Sequence, residues 1–268
     1  MESRFLNEAV AALLRKVAQE AILPQYRSLS SHQVENKAAD DVVTVADHLA
    51  EEMLAEGLAA IDPSLAIVGE EAAHADPSVL ERLSSDCWII DPLDGTNNFA
   101  AGKPPFGILL ARATGGIAEA GWLYDPLSDR LCHAALGEGA YVDGERIRSR
   151  PTGEDEPVAA ISLIFLTEEQ REMVGRKLAP HYRLVEIPRC AAEQYPRLAL
   201  GENDVSSFKR TLAWDHAAGV LFLNEAGGKA CRLDGSEYRV DEGDKPGLVG
   251  ASSPQIWDEF VARVTAEG

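Results

Sequence analysis

The stretch Trp88-Ile89-Ile90-Asp91-Pro92-Leu93-Asp94-Gly95-Thr96 constrains this chain more than any other. An apolar run ends there in two carboxylates, Asp91 and Asp94, spaced as D-x-x-D. Pro92 disfavours helical backbone at Asp91, so the run reads as the end of a buried strand. Gly95 permits a tight turn, and Thr96 is a good cap for a following helix. A strand ending in carboxylates and a helix beginning with unpaired N–H groups make a site for a divalent metal plus an anion. A bare D-x-x-D equally describes a capped turn with two solvated aspartates, so the choice rests on the rest of the chain.

Two further segments decide it. Val68-Gly69-Glu70-Glu71 is a second apolar-to-acidic transition, and in Trp214-Asp215-His216-Ala217-Ala218-Gly219 an aspartate opens an apolar run that ends at Gly227-Gly228. Asp, Glu and main-chain carbonyls are the hard oxygen donors Mg²⁺ prefers, with phosphate oxygens often completing its shell. With VGEE at 68–71, WIIDPLDGTNNF at 88–99 and WDHAAGVLFLNEAGG at 214–228, the chain resembles the inositol monophosphatase family of Mg²⁺-dependent, Li⁺-sensitive phosphatases. The order and separation of the three motifs carry the resemblance across nearly the whole chain.

The resemblance implies a ligand set for two to three Mg²⁺ ions, with Mn²⁺ as a substitute. Glu70, Asp91 and the Leu93 carbonyl hold the first; Asp91 bridges to a second held by Asp94 and Asp215; Glu70 positions a weaker third through water. It assigns the Gly95 and Thr96 amides to the substrate phosphate, and the Thr96 hydroxyl with Asp47 to orienting the attacking water. Cys190, Ala191, Ala192 and Arg210 complete the expected substrate contacts. Glu71 is expected beside the ligands rather than among them, and Lys37 aligns with a lysine of a flexible active-site loop. Read from residues alone, Asp47 is as well explained as a surface side chain near a helix start. The resemblance also implies a homodimer.

Charge agrees with this chemistry. Against 25 basic residues stand 44 acidic ones, a formal net charge of −19. Nucleic-acid binding through a basic face is not expected. A phosphorylated substrate meets a repulsive global field, so bound metal must supply the local positive charge. The four cysteines, Cys87, Cys132, Cys190 and Cys231, have no C-x-x-C spacing and suit a reducing compartment. No basic, long apolar signal segment opens the chain and no run reaches membrane-spanning length, so the expectation is a cytoplasmic protein without a membrane partner.

Apolar spacing predicts helices over 4–22 and from about Thr44 to Ala60, and turn signals predict an antiparallel meander over 106–142. The polar, Pro-containing segment 150–157 is the best internal boundary. Beyond it, strands at 158–166, 183–187, 204–208, 229–233 and 247–251 alternate with helices at 167–179, 190–200, 215–226 and 254–265. This is an α/β chain with an α+β half over 1–149, carrying most of the ligands, and an α/β half over 150–268, completing the site with Asp215. The resemblance sharpens it to a layered αβαβα sandwich of the inositol monophosphatase and fructose-1,6-bisphosphatase type.

Several residues have a plainer reading. His48 and His216 adjoin proposed site residues, but sequence neighbours point in different directions on a helix, so both are read as packing or surface. Trp88 and Trp214 are read as core. Lys209 and Arg210 either meet a substrate anion or lie solvated. A covalent aspartyl phosphatase needs D-x-D-x-T and a P-loop protein needs G-x-x-x-x-G-K-[ST]; both are absent. The EF-hand spacing fails too, and a non-enzymatic metal-binding regulator is disfavoured by the complete ligand set. The expected reaction is hydrolysis of a small phosphate monoester such as inositol monophosphate. However, the position of the glutamate that contacts inositol in selective members holds Phe208, and the adjoining segment reads Arg189-Cys190-Ala191-Ala192-Glu193. Fructose 1,6-bisphosphate, 3′-phosphoadenosine 5′-phosphate and histidinol phosphate therefore stand as alternative substrates.

Overall fold

The computed structural model describes residues 2–29, 34–38, 41–164 and 166–266; for residues 2, 3, 34–38 and 41 only the backbone is described. Helix α1 (Glu2–Val17) runs on through a π turn to Ile22, and a small hairpin, β1 (Val34–Ala38) and β2 (Asp41–Thr44), leads into α2 (Val45–Ile61). Thr44 ends that strand and caps the helix: its hydroxyl accepts from Ala46 N, while its own N–H donates to Asp47 Oδ2 at 2.8 Å. Paired caps of this kind satisfy two of the orphan groups at a helix start.

Seven strands follow in one mixed sheet, in the order β3 (Ala66–Gly69), β4 (Cys87–Asp94), β5 (Gly107–Thr114), β6 (Ile117–Asp125), β7 (Arg130–Ala135), β8 (Gly139–Val142) and β9 (Glu145–Ile147). Only β3 and β4 are parallel; the rest form the meander expected from the turn signals. Between β3 and β4 lie α3 (Glu70–Ala75) and a 3₁₀ segment, and after β4 comes the single-turn α4 (Thr96–Ala100). Strand β4 is buried on both sides because its neighbours alternate. Trp88 and Ile90 pack with α1 and α2, whereas Cys87 and Ile89 pack with the helices of the second half.

The second half builds a five-stranded sheet, in the order β11 (Arg183–Val185), β10 (Val158–Ile161), β12 (Val205–Phe208), β14 (Leu248–Ala251) and β13 (Lys229–Arg232). Helices α6 (Ala191–Ala199) and α7 (Ala213–Glu225) lie between the two sheets, sharing one core with Leu109, Ala111 and Leu123 on one side and Ala230 and Leu248 on the other. Helices α5 (Glu168–Lys177) and α8 (Pro254–Thr265) cover the outer face, packing Val174, Trp257 and Phe260 on Val205 and Val249. The five layers are α, β, α, β, α, as the resemblance implied. Several boundaries differ from the sequence reading, among them the ends of β4, β10 and β11 and the start of α7. Strand β10 stops at Ile161 rather than 166, where pairing with β12 ends, and α7 begins at Ala213, two residues before Asp215. All four cysteines are buried and unpaired. Among the described residues no helix is long and apolar enough to cross a membrane.

The middle layer is tight where α6 meets α7. A Cβ on Gly219 would stand 2.0 Å from the ring of Tyr195, a fully buried side chain. Gly219→Ala is expected to destabilise the fold by roughly 1–3 kcal/mol through overpacking, despite the better helix propensity of alanine. Gly175→Ala in α5, where a Cβ meets nothing within 4 Å, is expected to gain up to about 1 kcal/mol. Denaturant unfolding of the two variants checks the contrast, and equal stabilities would remove the packing argument.

Candidate active site

The end of β4 delivers Asp91 and Asp94 to one cavity of about 250 Å³, at the junction of the two halves. Pairing with β5 is interrupted between Asp91 and Asp94, so the strand bulges and both carboxylates turn toward the cavity instead of opposite faces. Gly95 follows with φ +85°, and a Cβ there would stand 2.9 Å from Pro105 O, so only glycine fits the turn into α4. Glu70, the first residue of α3, and Asp215, in the first turn of α7, line the same cavity, as do Leu93, Gly95, Thr96, Cys190, Ala191 and Arg210.

Two expected residues stand behind that lining. Asp47 is buried, with Oδ2 accepting from Thr44 N and the Thr44 hydroxyl, and Oδ1 lying 3.1 Å from Thr96 Oγ1. Thr96 Oγ1 is also 2.8 Å from the Leu93 carbonyl, so its one hydrogen serves Asp47 or Leu93 and its lone pairs face elsewhere. Ala192 donates its N–H to Asp94 Oδ2 at 2.6 Å. The Lys37 side chain lies outside the described residues.

Burial dominates the electrostatics. It raises Asp91 well above the usual carboxylate range, with the nearby charges of Glu70, Asp94 and Asp215 adding to the effect. Asp94 is pushed up to about 6 by burial, opposed by hydrogen bonds from Ala192 and Cys190. Asp47 is pushed up to about 7 by burial, against its bonds to Thr44. Among the described residues no three carboxylate, imidazole or thiolate groups already close into a cation cage; Asp91 and Asp94 spend oxygens on the amides of Leu93 and Ala192. The donor chemistry still fits a hard divalent cation. It consists of carboxylate oxygens and a carbonyl, gathered out of water, whose mutual repulsion a positive charge would relieve.

His216 is a packing residue, although it borders the cavity. Its Nε2 faces the Arg210 carbonyl at 3.1 Å and must donate, so Nδ1 accepts from Tyr195 Oη at 2.8 Å. Burial lowers its pKa to about 3, which keeps the ring neutral. His48 is exposed, and Trp88 and Trp214 are core residues. Lys209 and Arg210 both line the cavity, and Arg210 Nη2 is 3.7 Å from Asp215 Oδ2.

Two residues at the site escaped the sequence reading. Glu51, one helical turn after Asp47 on α2, accepts from the N–H groups of Glu71 and Ala72, both at 2.8 Å. It thus caps α3 from outside and fixes the backbone that carries Glu70. The close approach also explains Gly69, whose Cβ would lie 2.3 Å from that carboxyl. Asn98 donates to Pro105 O at 2.8 Å and Pro188 O at 2.9 Å, tying α4 to the segment before Cys190. The i, i+4 spacing of Asp47 and Glu51 was the available signal for the first; nothing local marks the partners of Asn98.

Comparison with known proteins agrees with this architecture. A model of the inositol monophosphatase family matches residues 3–267. The chain is 29% identical to the inositol-1-monophosphatase of Bacillus subtilis over 87% of both chains. It is 30% identical to the Nus factor SuhB of Pasteurella multocida, over 97% of this chain and 95% of that one. An IMPase structure from Thermotoga maritima superposes with a TM-score of 0.81 at 28% identity, over 98% and 97% of the two chains.

Glu51→Gln removes one acceptor from the two amides at the start of α3 with little change of volume. Affinity for Mg²⁺ by calorimetric titration is expected to fall by roughly tenfold or more, as when the outer partner of a ligand is lost. Unaltered affinity would separate this cap from the site.

Proposed function

The chain belongs to the inositol monophosphatase family, whose members are phosphatases and generally metal-dependent, and from that premise we propose that it hydrolyses a small phosphate monoester with Mg²⁺. The observation that carries the reading is the convergence of Glu70, Asp91, Asp94 and Asp215 with Leu93, Gly95 and Thr96 on one cavity. Glu70, Asp91, Leu93 through its carbonyl, Asp94 and Asp215 would hold the metal. Bound Mg²⁺ supplies Lewis acidity for the phosphoryl oxygens and lowers the pKa of water.

The remaining work falls to the chain. The Gly95 and Thr96 amides at the start of α4 hold the ester's phosphate. Thr96 Oγ1, its hydrogen directed to Asp47 or the Leu93 carbonyl, accepts a hydrogen bond from the attacking water and orients it. Asp47 receives the proton that the water loses, relayed through the Thr96 hydroxyl, and Thr44 holds the receiving carboxylate in place. Asp47 is 1% exposed, so its carboxyl is shielded from bulk water. The division of labour follows the two sheets, with residues 1–149 supplying the water-orienting pair and most ligands, and 150–268 supplying Asp215 and the substrate wall.

Activity is expected to require Mg²⁺ strictly, with Mn²⁺ substituting in part, because the donors are hard oxygens. Asp94→Asn and Asp215→Asn should each abolish turnover in a folded protein, since each removes charge at nearly constant volume. A phosphate-release assay checks both, and full turnover in excess EDTA would sink the reading. Thr96→Ala and Asp47→Asn are expected to lower kcat by roughly 10²-fold or more with little change in KM, as for loss of a positioned proton acceptor. A change confined to KM would move the pair from orienting water to binding the ester.

A further inference from the structure

We infer that Arg232 is a positioning residue for the metal site: it holds the segment 209–212 and, through it, the start of α7 that carries Asp215. The inference rests on the reading of Asp215 as a metal ligand in the phosphatase site above.

The first observation is a buried cation held by neutral partners. Arg232 ends β13 and is 1% exposed. Burying a guanidinium is costly, and the usual compensation is a carboxylate. Among the described residues Arg232 meets neutral groups instead. Its Nη1 donates to Thr211 Oγ1 at 2.8 Å and to the Lys245 carbonyl, and its Nη2 donates to Glu242 O at 3.0 Å. Its Cζ lies 4.9 Å from the centre of the Tyr238 ring, and its Nε has no partner among the described residues. What arginine adds here over an apolar side chain is a planar fork that joins two separate segments, 242–245 and Thr211, at one point.

The second observation is what the fork holds. Thr211 belongs to the short connection between β12, which ends at Phe208, and α7, which begins at Ala213. Thr211 accepts from Arg232 and passes its own hydroxyl hydrogen to Lys245 O at 2.9 Å. The Tyr238 hydroxyl, beside the guanidinium, has the carbonyls of Thr211 and Leu212 each at 3.3 Å. Gly247 N donates to Lys209 O at 3.2 Å, and His216 Nε2 donates to Arg210 O at 3.1 Å. Every main-chain carbonyl from Lys209 to Leu212 therefore has a donor within reach, and the buried Thr211 side chain sits at the centre of that clamp. Connections of this kind are mobile by default, whereas ligands of one metal need to be held within about 0.5 Å of their productive geometry. Asp215 follows the clamp by three residues and must meet Asp91 and Asp94, which belong to the other half of the chain. The fork thus fixes the one ligand that the second half supplies.

The test is a double-mutant cycle on Mg²⁺ affinity, measured by calorimetric titration of the full chain, with thermal unfolding to check that each variant is folded. Arg232→Met, which keeps a long side chain without the fork, is expected to raise the Mg²⁺ dissociation constant by roughly tenfold or more, as for loss of a group that orients a ligand. In an Asp215→Asn background the same change should add little, because the ligand it positions is already gone, whereas in a Glu51→Gln background it should keep its full effect. A merely structural role would lower stability and act alike in both backgrounds. Thr211→Val removes one acceptor of the fork at nearly constant volume; it should show the same pattern at smaller size, and it carries the test if Arg232→Met does not fold. An affinity that neither Arg232→Met nor Thr211→Val moves, or an effect that adds fully in both backgrounds, overturns the proposal and leaves the phosphatase reading standing. If Asp215→Asn itself leaves Mg²⁺ affinity unchanged, the metal assignment falls, and the proposal with it.

Discussion

Carboxylates gathered out of water at the end of one strand are costly, and the architecture around the cavity is a response to that cost. Burial alone raises Asp91, Asp94 and Asp47 above the usual carboxylate range, and their neighbours' charges raise Asp91 further. Buried like charges persist only when hydrogen bonds or a cation compensate them. Amides of Leu93 and Ala192 and the hydroxyl and amide of Thr44 provide part of that compensation. The rest is the affinity such a donor set has for a divalent ion.

Helix α2 shows how the compensation is organised. One turn of it carries both Asp47, which reaches Thr96 after β4, and Glu51, which reaches the start of α3 after β3. The helix is seated on the seven-stranded sheet through Ala46, Ala50 and Leu54 against Trp88 and Ile90. A single packed element therefore sets the relative positions of the Asp47–Thr96 pair and of Glu70. Among the bonds that tie in the second half, Ala192 N to Asp94 and Asn98 to Pro188 lie at the cavity. Because these bonds cross between the sheets, relative movement of the two halves would disturb the carboxylates directly.

The cationic wall answers a different problem. A strongly acidic chain repels phosphorylated molecules at long range, and screening confines that repulsion to about 10 Å in ordinary salt. Inside that distance local charge decides, and Arg189, Lys209 and Arg210 line the same cavity as Glu70, Asp91, Asp94 and Asp215, with Arg210 only 3.7 Å from Asp215.

Much of this was legible in the residues themselves. The buried strand carrying Asp91, the turn at Gly95, the helix start near Thr44 and the alternating helices and strands after 158 follow from local rules of backbone sterics and apolar period, which depend on neighbours within a few positions; the strand runs on past Pro92 to Asp94, however, and Thr96 is the first residue of α4 rather than its cap. The three acidic motifs were legible for the same reason, each being a short string with its own local geometry. Glu51 as a cap for α3, Asn98 as a tie to Pro188, the neutral His216 between Tyr195 and Arg210, and the shared cavity of Arg189 with Lys209 were not. They depend on which sheet faces pack together, and residues about 20 to 100 positions apart meet only after that packing is set. The sequence by itself determined which groups of the site could carry metal and phosphate chemistry. Only the tertiary structure decided which of them share a cavity, because burial and long-range contact, unlike local conformation, are properties of the whole packed chain.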